Sequence, residues 1–205
     1  MKKVFEVELR GPLQKSKYDW LKRFFDGKGL AARTKNRILI DYSTCIEGED
    51  IRKRNLDIRA RITNKIPEMI IKVGKWKGGD VRKEISVLLQ EGQFSNLVQA
   101  YAALGYKKGI LCVRNSLIYV YDDVEFALVE VPGHSYFFEA EIAVSSEEET
   151  AAAKDKVGRV CRELGLTLFS DEEWFSYIEL LNREANKLFD IDRDGEEYFA
   201  KEFGV

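Results

Sequence analysis

Residues 5–10, FEVELR, decide the architecture. Side chains alternate across a strand with period two, so Glu6, Glu8 and Arg10 project to one face and Phe5, Val7 and Leu9 to the other. One such strand describes a sheet with a single wet face and needs no further account. The pattern recurs along the chain, however. In LDIRARI, Asp57, Arg59 and Arg61 share one face, while Leu56, Ile58, Ala60 and Ile62 share the other. In EMIIKVG, Lys72 opposes Met69, Ile71 and Val73. In VRKEISV, Arg82, Glu84 and Ser86 oppose Val81, Ile85 and Val87, with Lys83 out of pattern. Arg114 lies in ILCVRNSLIYVYD, and FFEAEIAV repeats the opening as Glu139 and Glu141 against Phe138, Ala140 and Ile142.

A solvated sheet face is a casual mixture rich in Thr, Ser and Lys. This one is dominated by Glu and Arg. The apolar faces need cover, which the amphipathic stretches SKYDWLKRFFDGKG and GQFSNLVQAYAALG can supply from their side only. The charged face is then the inside of something curved, and the class expected is α+β, an antiparallel β-barrel with helices packed outside. NKIP, KGGD, DD and PGHS read as turns between strands. Two capping boxes are expected, Ser146 with Glu149 and Ser170 with Glu173. No linker or tandem repeat divides the chain, so residues 1–182 are read as the barrel domain and 183–205 as a C-terminal helical extension of it.

The 205 residues carry 33 Lys and Arg against 35 Asp and Glu, so no overall field recruits nucleic acid or an anionic membrane. The opening MKKVFEVELRG lacks a signal-peptide core and no run is long enough for a membrane helix, which points to the cytoplasm. Cys45, Cys112 and Cys161 lack CxxC spacing and read as free thiols. His134 is the only histidine and sits in a turn, which argues against a His-rich metal site or a Ser-His-Asp arrangement.

A lumen crowded with both signs is costly unless the charges pair or a ligand occupies it. Arginine and lysine suit phosphate oxygens, and carboxylates without His or Cys suit a hard divalent ion, Mg or Mn. Carboxylates holding metal, and metal with cations holding a polyphosphate, is the division of labour of phosphoryl transfer. The competing reading is a set of internal salt bridges with no ligand.

The ordered set of Glu6, Glu8 and Arg10, then Arg59 and Arg61, Lys72, Arg82 and Glu84, Arg114, and finally Glu139 and Glu141 resembles the CYTH superfamily, the triphosphate tunnel metalloenzymes. The resemblance runs from about Val4 to Asn182 and includes ALGY at 103–106 and FSYIELL, similar to the family's SYxxLL. It implies an eight-stranded antiparallel tunnel binding a triphosphate and a divalent metal. It further implies Glu6 and Glu8 as catalytic residues, and Glu6, Glu8, Glu139 and Glu141 on the metal. Arg10, Arg59, Arg61, Lys72, Arg82 and Arg114 would contact phosphate, with Glu84 in support. The expected partner is a small-molecule triphosphate such as ATP, tripolyphosphate or thiamine triphosphate, with no nucleic acid or membrane; a homodimer is allowed. Among members, the class IV adenylyl cyclases are the nearest in pattern and the triphosphatases the other expectation.

The chain departs from the family pattern at Arg10, where Lys is usual, at Ser116, where a second basic residue commonly follows, and at Val129, where an acid commonly stands. Glu130 would substitute for that acid if its strand were bulged. These departures motivate an alternative, a polyphosphate- or nucleotide-binding protein without turnover. In the tail, Asp190, Asp192, Asp194 and Gly195 match the first half of a calcium loop, but Lys201 stands at its twelfth position. An acidic turn leading into a short helix is the preferred reading. KVGKWKGGDVRK lacks the order of a P-loop, and Trp174, Phe175 and Tyr177 read as helix packing.

Overall fold

The computed structural model describes residues 5–48, 50–75 and 83–205. β1 (Phe5–Leu13) leads into α1 (Lys15–Gly27), followed by β2 (Arg33–Asp41), β3 (Leu56–Thr63), β4 (Ile66–Val73) and β5 (Lys83–Leu88). α2 (Phe94–Ala103) separates these from β6 (Lys108–Tyr121), β7 (Val124–Val131) and β8 (Ser135–Val144). α3 (Thr150–Glu163), α4 (Asp171–Glu184), β9 (Lys187–Asp190), α5 (Ile191–Asp194) and α6 (Tyr198–Phe203) complete the chain.

Eight strands pair antiparallel in the order β1-β8-β7-β6-β2-β3-β4-β5, and β9 adds beside β6. Two of the expected turns are two-residue hairpins with positive φ at both central residues, Asn64 (49°) with Lys65 (74°) and Asp122 (50°) with Asp123 (57°). That geometry matches the right-handed twist of the flanking strands and helps the sheet curl.

The alternation read from FEVELR holds through the sheet. On the convex face, Leu9, Phe126, Leu128, Phe138 and Ala140 pack against Leu21 and Phe25 of α1 and Val157, Val160 and Cys161 of α3. A second core joins Ile40, Ile58, Ala60 and Ile62 to Phe94, Leu97, Val98 and Tyr101 of α2. Phe189 of β9 and Phe199 of α6 enter this core, so the segment after 182 contributes a strand as well as helices. Asp190 accepts from the Asp192 N–H, while Lys107 and Lys108 pair with Asp192 and Asp190, so the tail's acids cap and bridge. All three cysteines are free.

Helix α4 lies on the other side. Val129, Val131 and Phe137 share the concave parity of Ala127 and Glu139, and they pack against Trp174, Phe175 and Leu181. Ser170 and Glu173 form the expected capping box at its start. Glu149, by contrast, accepts from the Ser145 and Ser146 N–H groups in a turn and is itself the N-cap position of α3. The link from α3 to α4 passes round the free edge of β1, where the Phe169 N–H donates to the Arg10 carbonyl at 2.9 Å. Among the described residues no ladder joins β1 to β5, so the expected barrel is a curled half-barrel. Side chains reach across the opening, with Nζ of Lys72 (β4) 3.5 Å from the Glu6 carboxylate (β1).

Gly11 is the point where that link crosses. A Cβ there would lie 1.9 Å from the Thr167 carbonyl and 2.5 Å from the Phe138 ring. Gly11→Ala should therefore destabilise the protein by about 3 kcal/mol or more, read as a lowered urea midpoint, because neither neighbour can retreat from a packed core.

Candidate functional site

The concave face not covered by α4 encloses a cavity of about 220 Å³. Of the fifteen described residues that line it, twelve are charged, six acids (Glu6, Glu8, Glu84, Glu125, Glu139, Glu141) and six cations (Arg10, Lys35, Arg37, Arg59, Arg61, Lys72). Strand register brings them together. Glu8 stands opposite Glu141 and Arg10 opposite Glu139, Lys72 opposite Glu84, and Arg61 opposite Glu68.

Most of the cations are held from behind or beside by carboxylates. Arg59 donates to Asp57 at 2.7 Å, and Asp57 in turn accepts from the buried Arg54 at 2.7 Å. Arg61 donates through Nε to Glu68 at 2.9 Å. Lys72 lies 2.7 Å from Glu84, and Lys35 3.2 Å from Glu125. The Arg10 guanidinium pairs with Glu8 and with Glu139 (3.6 Å), and its carbon lies 4.9 Å from the Trp174 ring centre. Such pairs fix the guanidinium forks of Arg59 and Arg61 in place along the wall. Arg37 Nε and Arg59 Nε are shielded from solvent and donate to no protein group among the described residues.

The carboxylates respond unequally. Burial, and then the neighbouring Glu139 and Glu141, push Glu8 up to about 8 against the pull of Arg10. Burial followed by Glu139, Glu6 and Glu125 pushes Glu141 up to about 7. For Glu139 burial also acts upward, but Arg10, Arg37 and Lys72 outweigh it and hold the carboxyl below its usual range. Lys72 does the same for Glu84 against burial.

No family model matches the chain, and no curated protein matches it. Solved structures do. The PH1819 protein of Pyrococcus horikoshii OT3 matches with a TM-score of 0.67 and 26% identity over 87% of this chain and 99% of that one. A candidate adenylate cyclase from Vibrio parahaemolyticus matches at TM-score 0.59 and 13% identity, over 80% and 90% of the two chains. HpAC1 of Hippeastrum, a candidate adenylyl cyclase described as having a dominant triphosphatase activity, matches at TM-score 0.53 and 13% identity, over 82% and 90%. The chain shares the fold of these solved structures.

Within this fold the expected residues are distributed as follows. Glu6, Glu8, Arg10, Arg59, Arg61, Lys72, Glu84, Glu139 and Glu141 all line the tunnel cavity. Arg82 lies outside the described residues. Arg114 is drawn away from the lining, donating to the Asn186 side chain at 3.0 Å and to the Val113 carbonyl at 2.7 Å. Glu130 is on the convex side, because β7 pairs without a bulge and Glu130 falls out of phase with Ala127 and Glu125. It accepts there from the Tyr136 hydroxyl at 3.5 Å. Lys35, Arg37 and Glu125 join the lining although motif spacing did not single them out. The signal for the first two was RTKNR, where Arg33, Lys35 and Arg37 already alternate with Thr34 and Asn36.

The donor set of the cavity, carboxylates without His or Cys, fits a hard divalent ion in its chemistry, and a dication among Glu8, Glu139 and Glu141 would offset the mutual repulsion that adds to burial in raising Glu8 and Glu141. As the side chains stand, no three acidic or other metal-binding groups of the described residues converge on one point. The Arg10 guanidinium, paired with both Glu8 and Glu139, stands among the donors.

The proton equilibrium of Glu8 is testable. An acid whose folded value is raised favours the fold while protonated, so its contribution is present below its ordinary value of 4.5 and is lost as pH rises through about 8. Glu141 adds to the decline up to about 7, whereas the depressed Glu139 and Glu84 act below that window. In chelator, the melting temperature should fall across this interval, and Glu8→Gln should flatten the fall in calorimetric scans.

Proposed function

We propose that this chain binds a triphosphate in the tunnel cavity and cleaves a phosphoanhydride bond with the help of a divalent ion, hydrolysis being the reaction the lining favours. The observation that carries the reading is the composition of the cavity, whose only uncharged lining residues among those described are Ser116, Ile118 and Ala127. No aromatic side chain among the described lining residues offers a platform for a base. Recognition therefore centres on the phosphate chain itself, which orders the fixed forks of Arg59 and Arg61 and the ammonium of Lys72 along its oxygens.

Glu6, Glu8, Glu139 and Glu141 would hold Mg or Mn, which when bound neutralises phosphate charge and makes an attacking hydroxyl easier to ionise. Glu6, whose side chain is 39% exposed, is the carboxylate of β1 most open to orient an attacking water at its Oε atoms. Arg59 and Arg61 neutralise the charge that builds on the leaving phosphate. Asp57 and Glu68 keep these two arginines from collapsing onto the metal-side acids.

Cyclisation of a nucleotide, as in the class IV cyclases, uses the same cations and differs in the nucleophile. Incubation with Mn and tripolyphosphate, ATP or thiamine triphosphate, read by phosphorus NMR, separates the outcomes. Orthophosphate with a diphosphate is the expected result; a cyclic nucleotide with pyrophosphate would make the protein a cyclase, and binding with no product would leave a binding protein. Glu6→Gln should lower kcat by about 100-fold or more with little change in KM. Arg59→Gln should raise KM as well.

A further inference from the structure

Among the described residues, five of the six cations lining the cavity have a carboxylate partner. Arg10 has Glu8 and Glu139, Lys35 has Glu125, Arg59 has Asp57, Arg61 has Glu68, and Lys72 has Glu84 and Glu6. Arg37 has none within ion-pair distance among the described residues, and its Nε is closed off from solvent without a hydrogen-bond partner there. Its neighbours make this unusual. Across the ladder on one side stands Arg114 and on the other Thr63, neither of them an acid. Its charge also reaches Arg61, whose basicity is lowered by burial and then by Arg37. A guanidinium whose Nε is shielded from water without a protein acceptor among the described residues, beside another cation and near Glu139 only beyond ion-pair distance, leaves a charge that an anion can satisfy.

The wall on which Arg37 stands has a second feature. β6 offers the cavity no cation there, since Arg114 is committed to Asn186 and Ser116 is neutral and 5% exposed. β2 runs beside it in register, with Arg37 opposite Arg114 and Lys35 opposite Ser116. Both β2 side chains line the cavity, so this wall receives its positive charge from β2.

Resting on the triphosphate reading above, we infer that Arg37, together with Arg61, forms a phosphoryl-binding subsite, so that β2 supplies the anion contacts on the wall shared with β6. An incoming phosphoryl oxygen accepts from the Arg37 guanidinium and separates two like charges, which lets Arg37 bind ligand without giving up an internal partner. Arg61, by contrast, is shared with Glu68.

The two arginines therefore answer substitution differently. Tripolyphosphate binding is followed by calorimetry in chelator, and unfolding of the ligand-free protein by differential scanning. Arg37→Gln should weaken tripolyphosphate binding about 10-fold or more, the scale of a lost charge-assisted contact, while the ligand-free melting temperature holds or rises. Arg37→Lys should recover part of the affinity. Arg61→Gln should weaken binding and also lower the ligand-free melting temperature, because Glu68 is left without its cation. Affinity of Arg37→Gln within about 2-fold of the parent, which lies inside the context-dependence of a single contact, would overturn the inference. A fall in ligand-free stability matching that of Arg61→Gln would also overturn it, by making Arg37 a structural residue. If the parent protein itself takes up no tripolyphosphate, the triphosphate reading falls first and the subsite with it.

Discussion

A buried cation needs an acid within reach, and the concave face of this sheet is built round that requirement. Arg54 is 2% exposed and is held by Asp41 at 2.9 Å and by Asp57, whose second oxygen takes Arg59. Removing one member of such a set strands the others in a low-dielectric setting, at a cost of about 3–5 kcal/mol. The arrangement does more than neutralise charge. By anchoring Arg59 on Asp57 and Arg61 on Glu68, it also fixes where these two guanidinium groups stand along the cavity wall.

Helix α4 determines how much of that face remains polar. Its clamps are polar at the rim, where Arg52 pairs with Glu172 and Glu179, and apolar beneath, where Trp174 and Phe175 meet Val129 and Phe137. Val129 is apolar because a helix rests on it. The acid of β7 that reaches the cavity is Glu125, directly opposite Glu141. Arg114 is likewise drawn to the end of α4 through Asn186. What look in the sequence like gaps in the charged pattern are thus the places where α4 covers the sheet, or where β2 contributes in place of β6.

The strands were legible because period-two alternation of charged and apolar residues leaves few other solutions, and Glu6, Glu8, Arg59, Arg61 and Lys72 could be placed in one lumen from parity alone. Capping chemistry located Ser170 at the start of α4. Position on the far side of the sheet was not legible for α4, since an amphipathic stripe records that a face is buried and not which surface buries it. Lys35 and Arg37 escaped notice because they stand ahead of the apolar run 38–40, and the pairing with β6 settles which face they take. Glu130 shows the converse: adjacency to an expected position means little when a shift of one residue moves a side chain to the opposite face. Closure was also beyond reach, because the Phe169 amide that takes the Arg10 carbonyl comes from a segment 159 residues further along the chain.

The Lys72 to Glu6 contact bears on how firmly the open side of the sheet is held. Backbone ladders break cooperatively and slowly, whereas one partly hydrated ion pair exchanges on the timescale of side-chain rotation. Here, among the described residues, the β1 and β4 walls touch through one such pair, so they can part there without breaking any ladder while Lys72 keeps Glu84.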